Sequence, residues 1–189
     1  MTATTDRRTE LTDAAIATLA ELGMRGLTHR AVDRAAGVAE GSTSYYFRTR
    51  EALLEATVAR LSDLTLSRMG ALPRPATTLD GLADMITTWV SAMVTEGRAA
   101  LLARYELSLE ATRRPALREH LRRTGAVFRE LATEQLVAIG TPDAERRGRD
   151  LVAYLDGLMF DEVAGAGGGT LDRDRLAAAV RDLLGVLTG

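Results

Sequence analysis

The side chains best equipped for chemistry fall in one short stretch. Thr28, His29, Arg30, Ser42, Thr43, Ser44, Tyr45, Tyr46, Arg48 and Arg50 bring hydroxyl, imidazole, phenol and guanidinium groups together there. Such groups suit nucleic-acid recognition, because Arg and neutral donors bond phosphate oxygens while short polar side chains reach base edges. They suit catalysis poorly. His29 and His120 are far apart and have no metal-ligand spacing with an Asp or Glu. A lone exposed His is more often a polar residue at a helix start, so His29 enters only as a candidate phosphate contact. Glu106 and Glu110 are one helical turn apart, yet Arg104, Arg113 and Arg114 make surface ion pairs their ordinary explanation. The glycine run at 165–170 follows a helix and precedes no Lys, which is not the pattern of a phosphate cradle. The chain has no Cys, so disulfides, thiolate metal sites and cysteine nucleophiles are excluded. No enzyme activity, metal or cofactor is expected.

Charge narrows the reading further. All 24 basic residues are Arg, and the formal net charge is −2. No molecule-wide basic field exists to hold nucleic acid, so any such site must be local. Between Thr28 and Arg50 four Arg stand against Asp33 and Glu40, whereas residues 1–69 carry nine Arg and nine acids. This modest excess implies reliance on a dimer or on neutral donors. With 46% hydrophobic and 26% charged residues the chain has the composition of a soluble globular protein with a packed core. It shows no apolar leader and no apolar run of membrane-spanning length, so a cytoplasmic location with no membrane partner is expected.

These donors need elements to position them, and helical signals run almost from end to end. The first helix is expected from about Asp6 to Leu22, with Leu11, Ile16, Leu19 and Leu22 at helical spacing and Gly23 as its stop. Thr28 is a good N-cap for a helix to Ala36, Gly37 permits the tight turn that follows, and Val38 plugs it. A third helix covers about Glu40 to Tyr46. A fourth, capped by Thr49, runs from about Arg50 to Met69. Prolines and capping residues at 70–78 break the pattern and place a linker there. Beyond it, segments at about 79–95, 98–112, 115–139, 143–165 and 172–187 bring the count to nine helices. The fold class is all-α, with a helix-turn-helix domain at 1–69 and a larger helical domain at 79–189.

In a helix-turn-helix the first helix braces on the DNA backbone while the second presents polar side chains to the major groove. Ala31, Val32, Ala35, Val38 and Phe47 suit the inner face, leaving the donors named above for the outer one. The run Gly-Leu-Thr-His-Arg-Ala-Val-Asp-Arg-Ala-Ala-Gly-Val-Ala-Glu-Gly-Ser-Thr-Ser-Tyr-Tyr-Phe-Arg-Thr-Arg-Glu-Ala-Leu-Leu, residues 26–54, closely resembles the DNA-binding region of tetracycline-repressor-like (TetR) regulators. Tyr46-Phe47-Arg48-Thr49-Arg50-Glu51-Ala52-Leu53 fits the family signature that joins the recognition helix to the fourth helix. The resemblance implies that Thr28 and Tyr46 touch phosphates, that Arg30 and Ser42 reach bases, and that Arg50 contacts the backbone. It departs at Glu40, where the family often has a basic or neutral residue, and at Ser44, where an aromatic is common. Its function would be that of a ligand-released transcriptional repressor on a palindromic double-stranded operator. The alternative is an all-helical protein-interaction module that does not recognise DNA.

In the larger domain, Arg104-Tyr105-Glu106-Leu107 and Arg113-Arg114-Pro115 look like the effector domain of the same regulators. That resemblance implies a small apolar or amphipathic effector between the helices and a homodimer through the last two. Candidate ligand contacts are Met85, Trp89, Met93, Tyr105, Leu109, Phe128, Tyr154, Leu158 and Met159, a mixture of aromatics and adaptable Met typical of pockets. Filling the core is the ordinary role for any one of them. Leu151, Leu155, Leu158 and Glu162, then Leu176, Val180, Leu183 and Leu187, form stripes suited to a four-helix interface. Gly157, Ala177 and Ala178 would permit close approach. The stripes can equally pack inward within one subunit.

Overall fold

Helical periodicity is realised without a strand among the described residues, which in this computed structural model are 6–70, 76–166 and 172–188. In chain order the helices are α1 (Arg7–Gly26), α2 (His29–Ala35), α3 (Ser42–Tyr46), α4 (Arg50–Gly70), α5 (Leu79–Val94), α6 (Arg98–Ala111), α7 (Pro115–Ala138), α8 (Ala144–Val163) and α9 (Arg173–Thr188). Residues 71–75 of the expected linker and 167–170 of the glycine run lie outside the described residues. No described helix is long and apolar enough to cross a membrane.

Local chemistry sets the helix ends. Thr28, Thr49 and Thr78 each accept an N–H three residues on through Oγ1, all at 3.1 Å. Each such cap satisfies an orphan donor and contributes about 1 kcal/mol. Gly23 stands at φ 64 and ψ −174, so α1 loses regular geometry where the sequence places its stop. A side chain there would be strained by the positive φ.

The chain packs as two units. The first holds residues 1–67 and 99–122, the second 68–98 and 123–189. Residues 99–122 thus join the N-terminal unit, although sequence punctuation alone groups them with the larger domain. The reason is apolar: Ala103, Leu107, Ala111 and Leu117 complete a core built from Leu11, Leu19, Val32, Phe47, Leu53 and Val58. Phe47 is 1% exposed, and truncating such a ring to Ala costs about 3–5 kcal/mol. Of the first stripe, Leu11, Ile16 and Leu19 are buried while Leu22 is exposed.

In the second unit α5 packs on α8 and α9, and α8 on α9. The buried residues include Leu82, Ile86 and Val90 of α5, Leu151, Leu155 and Met159 of α8, and Leu176, Val180, Leu184 and Leu187 of α9. Most of the leucines considered for a subunit interface therefore pack inward. What α8 and α9 leave exposed is a different face, with Tyr154, Gly157 and Phe160 on one and Ala178, Gly185 and Val186 on the other.

Gly148 of α8 lies against α7, where a Cβ would meet Thr133 Oγ1 at 2.9 Å and Thr133 N at 3.0 Å. Ala exceeds Gly in helix preference by about 1 kcal/mol, but overpacking a close contact costs about 1–3 kcal/mol, so the contact wins. Gly148→Ala is expected to lower the thermal midpoint. A raised midpoint would show that α7 and α8 are not closely apposed there.

Candidate DNA-binding surface and ligand cleft

The turn between α2 and α3 is assembled around one carboxylate. Asp33, in the middle of α2, is buried, and its Oδ1 accepts from Thr43 N at 2.7 Å and Thr43 Oγ1 at 2.5 Å. Its Oδ2 accepts from Gly41 N at 2.8 Å. These donors lie at the start of α3, where free N–H groups favour an anion. Gly37 at φ 65 and Gly41 at φ 95 supply the left-handed backbone that folds the connection back within reach. Burial pushes the Asp33 carboxyl up, but hydrogen bonds from the Thr43 side chain and from the Thr43 and Gly41 amides outweigh it, and the net pKa lies below the ordinary 3.8. Thr43, expected on the outer surface, is thus fully buried. Its polar atoms are committed to Asp33, and Ser44 beside it takes the exposed position.

Two further expected DNA contacts are used inside the protein. The Arg50 guanidinium donates to Met24 O at 2.5 Å and to Leu27 O at 3.4 Å, fastening the start of α4 to the α1–α2 connection. His29 Nε2 donates to Phe47 O at 2.7 Å, bridging the start of α2 and the end of α3. Arg8 was not singled out by sequence. It donates to Tyr46 O at 3.2 Å and lies 4.7 Å over the Phe47 ring. No local pattern connects a first-turn Arg with a carbonyl 38 residues away.

The remaining donors are exposed or half-buried. Thr28, Arg30, Ser44, Tyr45 and Arg48 are exposed, and Tyr45 is 75% exposed with its ring edge-on to half-buried Tyr46. Ser42 is half-buried and donates to Ala39 O at 2.6 Å. Arg30 pairs with Glu40 at 2.7 Å, both mostly exposed. Such surface pairs contribute about 0–1 kcal/mol, so a phosphate can take over the guanidinium. Arg34, exposed in the last turn of α2, is a further donor; its signal in the sequence was the local Arg excess.

Elsewhere in the first unit, Glu106 Oε2 accepts from Met24 N at 3.0 Å beside the Gly23 kink. Glu106 is thus not merely a surface ion-pair partner. Arg114 bridges Glu51 of α4 at 2.7 Å and Glu110 of α6 at 2.6 Å. Its hydrogen bonds are the first cause holding both carboxyls below their usual range.

The second unit contains an apolar cleft of about 90 Å³. Leu82, Met85, Ile86 and Trp89 line it from α5, Phe128, Leu131, Ala132 and Gln135 from α7, and Leu151, Val152 and Leu155 from α8, with Met69 at one end. The first two sets each recur at i, i+3, i+4 and i+7, the face of a single helix. Of the expected ligand contacts, Met85, Trp89 and Phe128 meet here, the two rings 5.7 Å apart and tilted by 58°. The other six do not line it. Tyr105 and Leu109 belong to the first unit, and Leu109 is 69% exposed. Met93 and Met159 are core residues. Leu158 is half-buried away from the cleft, and Tyr154 faces outward, about 100° around α8 from Leu155.

No ionisable side chain lines the cleft. Burying an unpaired charge costs several kcal/mol, more than the roughly 2 kcal/mol a desolvated cation gains over an aromatic face. Trp89 Nε1 is buried without a partner among the described residues, a deficit of about 1–3 kcal/mol.

Two short helices at a tight turn, the second presenting polar side chains from a rigid apolar base, define a helix-turn-helix DNA-binding protein. Residues 11–57 match the family described as "Bacterial regulatory proteins, tetR family", and residues 73–186 match "Tetracyclin repressor-like, C-terminal domain". The chain is 31% identical to the HTH-type transcriptional regulator BetI of Escherichia coli strain K12, over 94% of this chain and 92% of that one. A transcriptional regulator from Rhodococcus sp. Rha1 superposes with TM-score 0.81 at 26% identity, covering 96% of this chain and 95% of that one. The multidrug binding protein EbrR, complexed with malachite green, superposes with TM-score 0.66 at 30% identity, covering 97% and 99%. The chain belongs to the TetR family of DNA-binding transcriptional regulators.

Removing the Asp33 carboxylate orphans three donors, each worth about 1–3 kcal/mol when left buried and unpaired. Asp33→Ala is expected to destabilise the first unit more than Thr43→Val, which removes a single donor, in denaturant titrations. Because folding lowers the Asp33 pKa, its stabilisation is complete above the ordinary 3.8 and is lost as pH falls through the folded value. The acid limb of the stability curve should therefore flatten in Asp33→Ala; an unchanged limb contradicts the clamp.

Proposed function

We propose that this regulator is a homodimeric repressor that holds an inverted-repeat operator and releases it when a small apolar or amphipathic ligand occupies the cleft of the second unit. The observation that carries the reading is the joint presence of an outward donor surface on α2 and α3 and an apolar, aromatic-lined cleft in the other unit. Arg30, Arg34, Arg48 and Thr28 are assigned to phosphates, and Ser44 and Tyr45 to the major groove, with Ser42 and Tyr46 at the edge of that surface. The operator lies on chromosomal DNA, which puts the working site in the cytoplasm.

A second copy supplies what the charge balance lacks. With three Arg on the surface, one recognition unit neutralises few phosphates, and a two-fold doubles that number. We assign the subunit interface to the exposed faces of α8 and α9, around Tyr154, Gly157, Phe160 and Val186. The two recognition helices would then stand about 34–36 Å apart, one turn of B-DNA. EbrR, which is seen with ethidium, malachite green or imidazole, supports the cleft as a small-molecule site. Helices α4, α6 and α7 contribute residues to both units, which gives a bound ligand a covalent route to the recognition surface. Release requires only that the ligand prefer the conformation with the wrong spacing.

Selection of bound genomic fragments tests the reading, with a palindromic consensus as the expected product. On that operator Arg34→Ala and Arg48→Ala should each weaken binding and reduce the salt slope by about one. Wild-type affinity for both variants would remove these residues from the interface. Gly157 has open space around its Cβ position, so Gly157→Arg should fold normally yet sediment as a monomer. A dimer of undiminished stability would place the interface elsewhere.

A further inference from the structure

We propose that the cleft selects uncharged aromatic ligands, one ring with a short apolar substituent, over aromatic cations of the same shape. The proposal rests on the reading of this cleft as the effector site and gives that effector a chemical class. Its walls offer nothing to a positive charge. Gln135 is the one polar aliphatic side chain on them, and its Oε1 already accepts from Ala76 N at 3.1 Å. No carboxylate of the surrounding helices lines the cleft. Asp84 of α5 is exposed and pairs with Arg181, while Glu130 and Glu134 of α7 line a separate polar cleft with Arg129 and Arg149. On α8, Asp150 pairs with Arg146. Residues 1–5, 71–75, 167–171 and 189 contain no Asp or Glu side chain.

What the cleft does offer is shape and polarisable surface. Trp89 and Phe128 provide a tilted pair of rings, and Met69 and Met85 provide unbranched thioethers that repack around an irregular guest. A space of about 90 Å³ falls below the roughly 150 Å³ that takes a benzene ring, so a single-ring guest enters as Met69 and Met85 repack, and an extended dye is disfavoured. A quaternary cation entering it gives up its hydration and finds only ring faces in return.

The test uses two probes that differ only in charge: tert-butylbenzene and phenyltrimethylammonium, in which nitrogen replaces the quaternary carbon. Trp89 is the chain's single tryptophan, so its fluorescence reports entry into the cleft without DNA. The expected result is a midpoint at least about tenfold lower for the hydrocarbon. Met85→Glu, which puts a carboxylate on the half-buried wall, should narrow or invert that ratio. Equal or tighter binding of the cation to the wild-type protein overturns the proposal, and so does an unperturbed Trp89 with both probes. Operator release, measured in parallel, separates the two readings. Hydrocarbon binding without release leaves the selectivity standing and removes the ligand switch, whereas release by the cation at lower concentration does the reverse.

Discussion

Asp33 shares its two buried oxygens among the Gly41 amide, the Thr43 amide and the Thr43 hydroxyl, and the placement of α3 follows from that sharing. A helix of five residues has too few internal hydrogen bonds to stand alone, and its N-terminal amides need partners in any case. Supplying them from the preceding helix fixes both the distance and the rotation of α3 relative to α2. An ionised group in an interior is ordinarily a liability. Here the donors more than offset desolvation, so the carboxyl remains charged and its removal would leave several groups unpaired at once.

The arginines around this clamp divide into two groups. Arg8 and Arg50 spend their guanidinium groups on carbonyl oxygens at the ends of α1 and α3, where unpaired C=O groups collect. They are the scaffold of the recognition surface. Arg30, Arg34 and Arg48 are left to face solvent, with Arg30 held only by an exposed pairing to Glu40. The resulting surface is weakly basic, and neutral donors and subunit symmetry carry correspondingly more of the proposed DNA affinity.

Much of this was legible in the residues. Thr28, Gly23 and Gly37 mark a cap, a stop and a turn because each type has a local conformational reason to be there, and Tyr46 to Leu53 carries the family signature. The misplaced residues have physical causes. In a helix as short as α3 the apolar phase is undetermined, so Thr43 and Ser44 look alike until Asp33 is seen to claim one of them. Arg50 reads as a DNA contact because its carbonyl partners lie on a connection more than twenty residues away. Residues 99–122 look like part of the larger domain by punctuation, and only their burial against Leu11 and Phe47 assigns them to the first unit. In the cleft, Trp89 and Phe128 stood out by residue type, whereas Leu82, Leu131 and Val152 follow only from the face each shares with the other lining residues of its own helix. Tyr154, chosen for its ring, lies outside the lining face of α8 and is exposed.

The account comes down to whether the surface held in place by Asp33 meets a duplex twice, through two-fold related copies. Hydroxyl-radical footprinting of the purified protein on a selected genomic fragment measures this directly. Two protected tracts on one face of the duplex, with centres about one helical turn apart, are the result it requires. Protection of a single tract, uniform protection along the fragment, or none at low salt would contradict it.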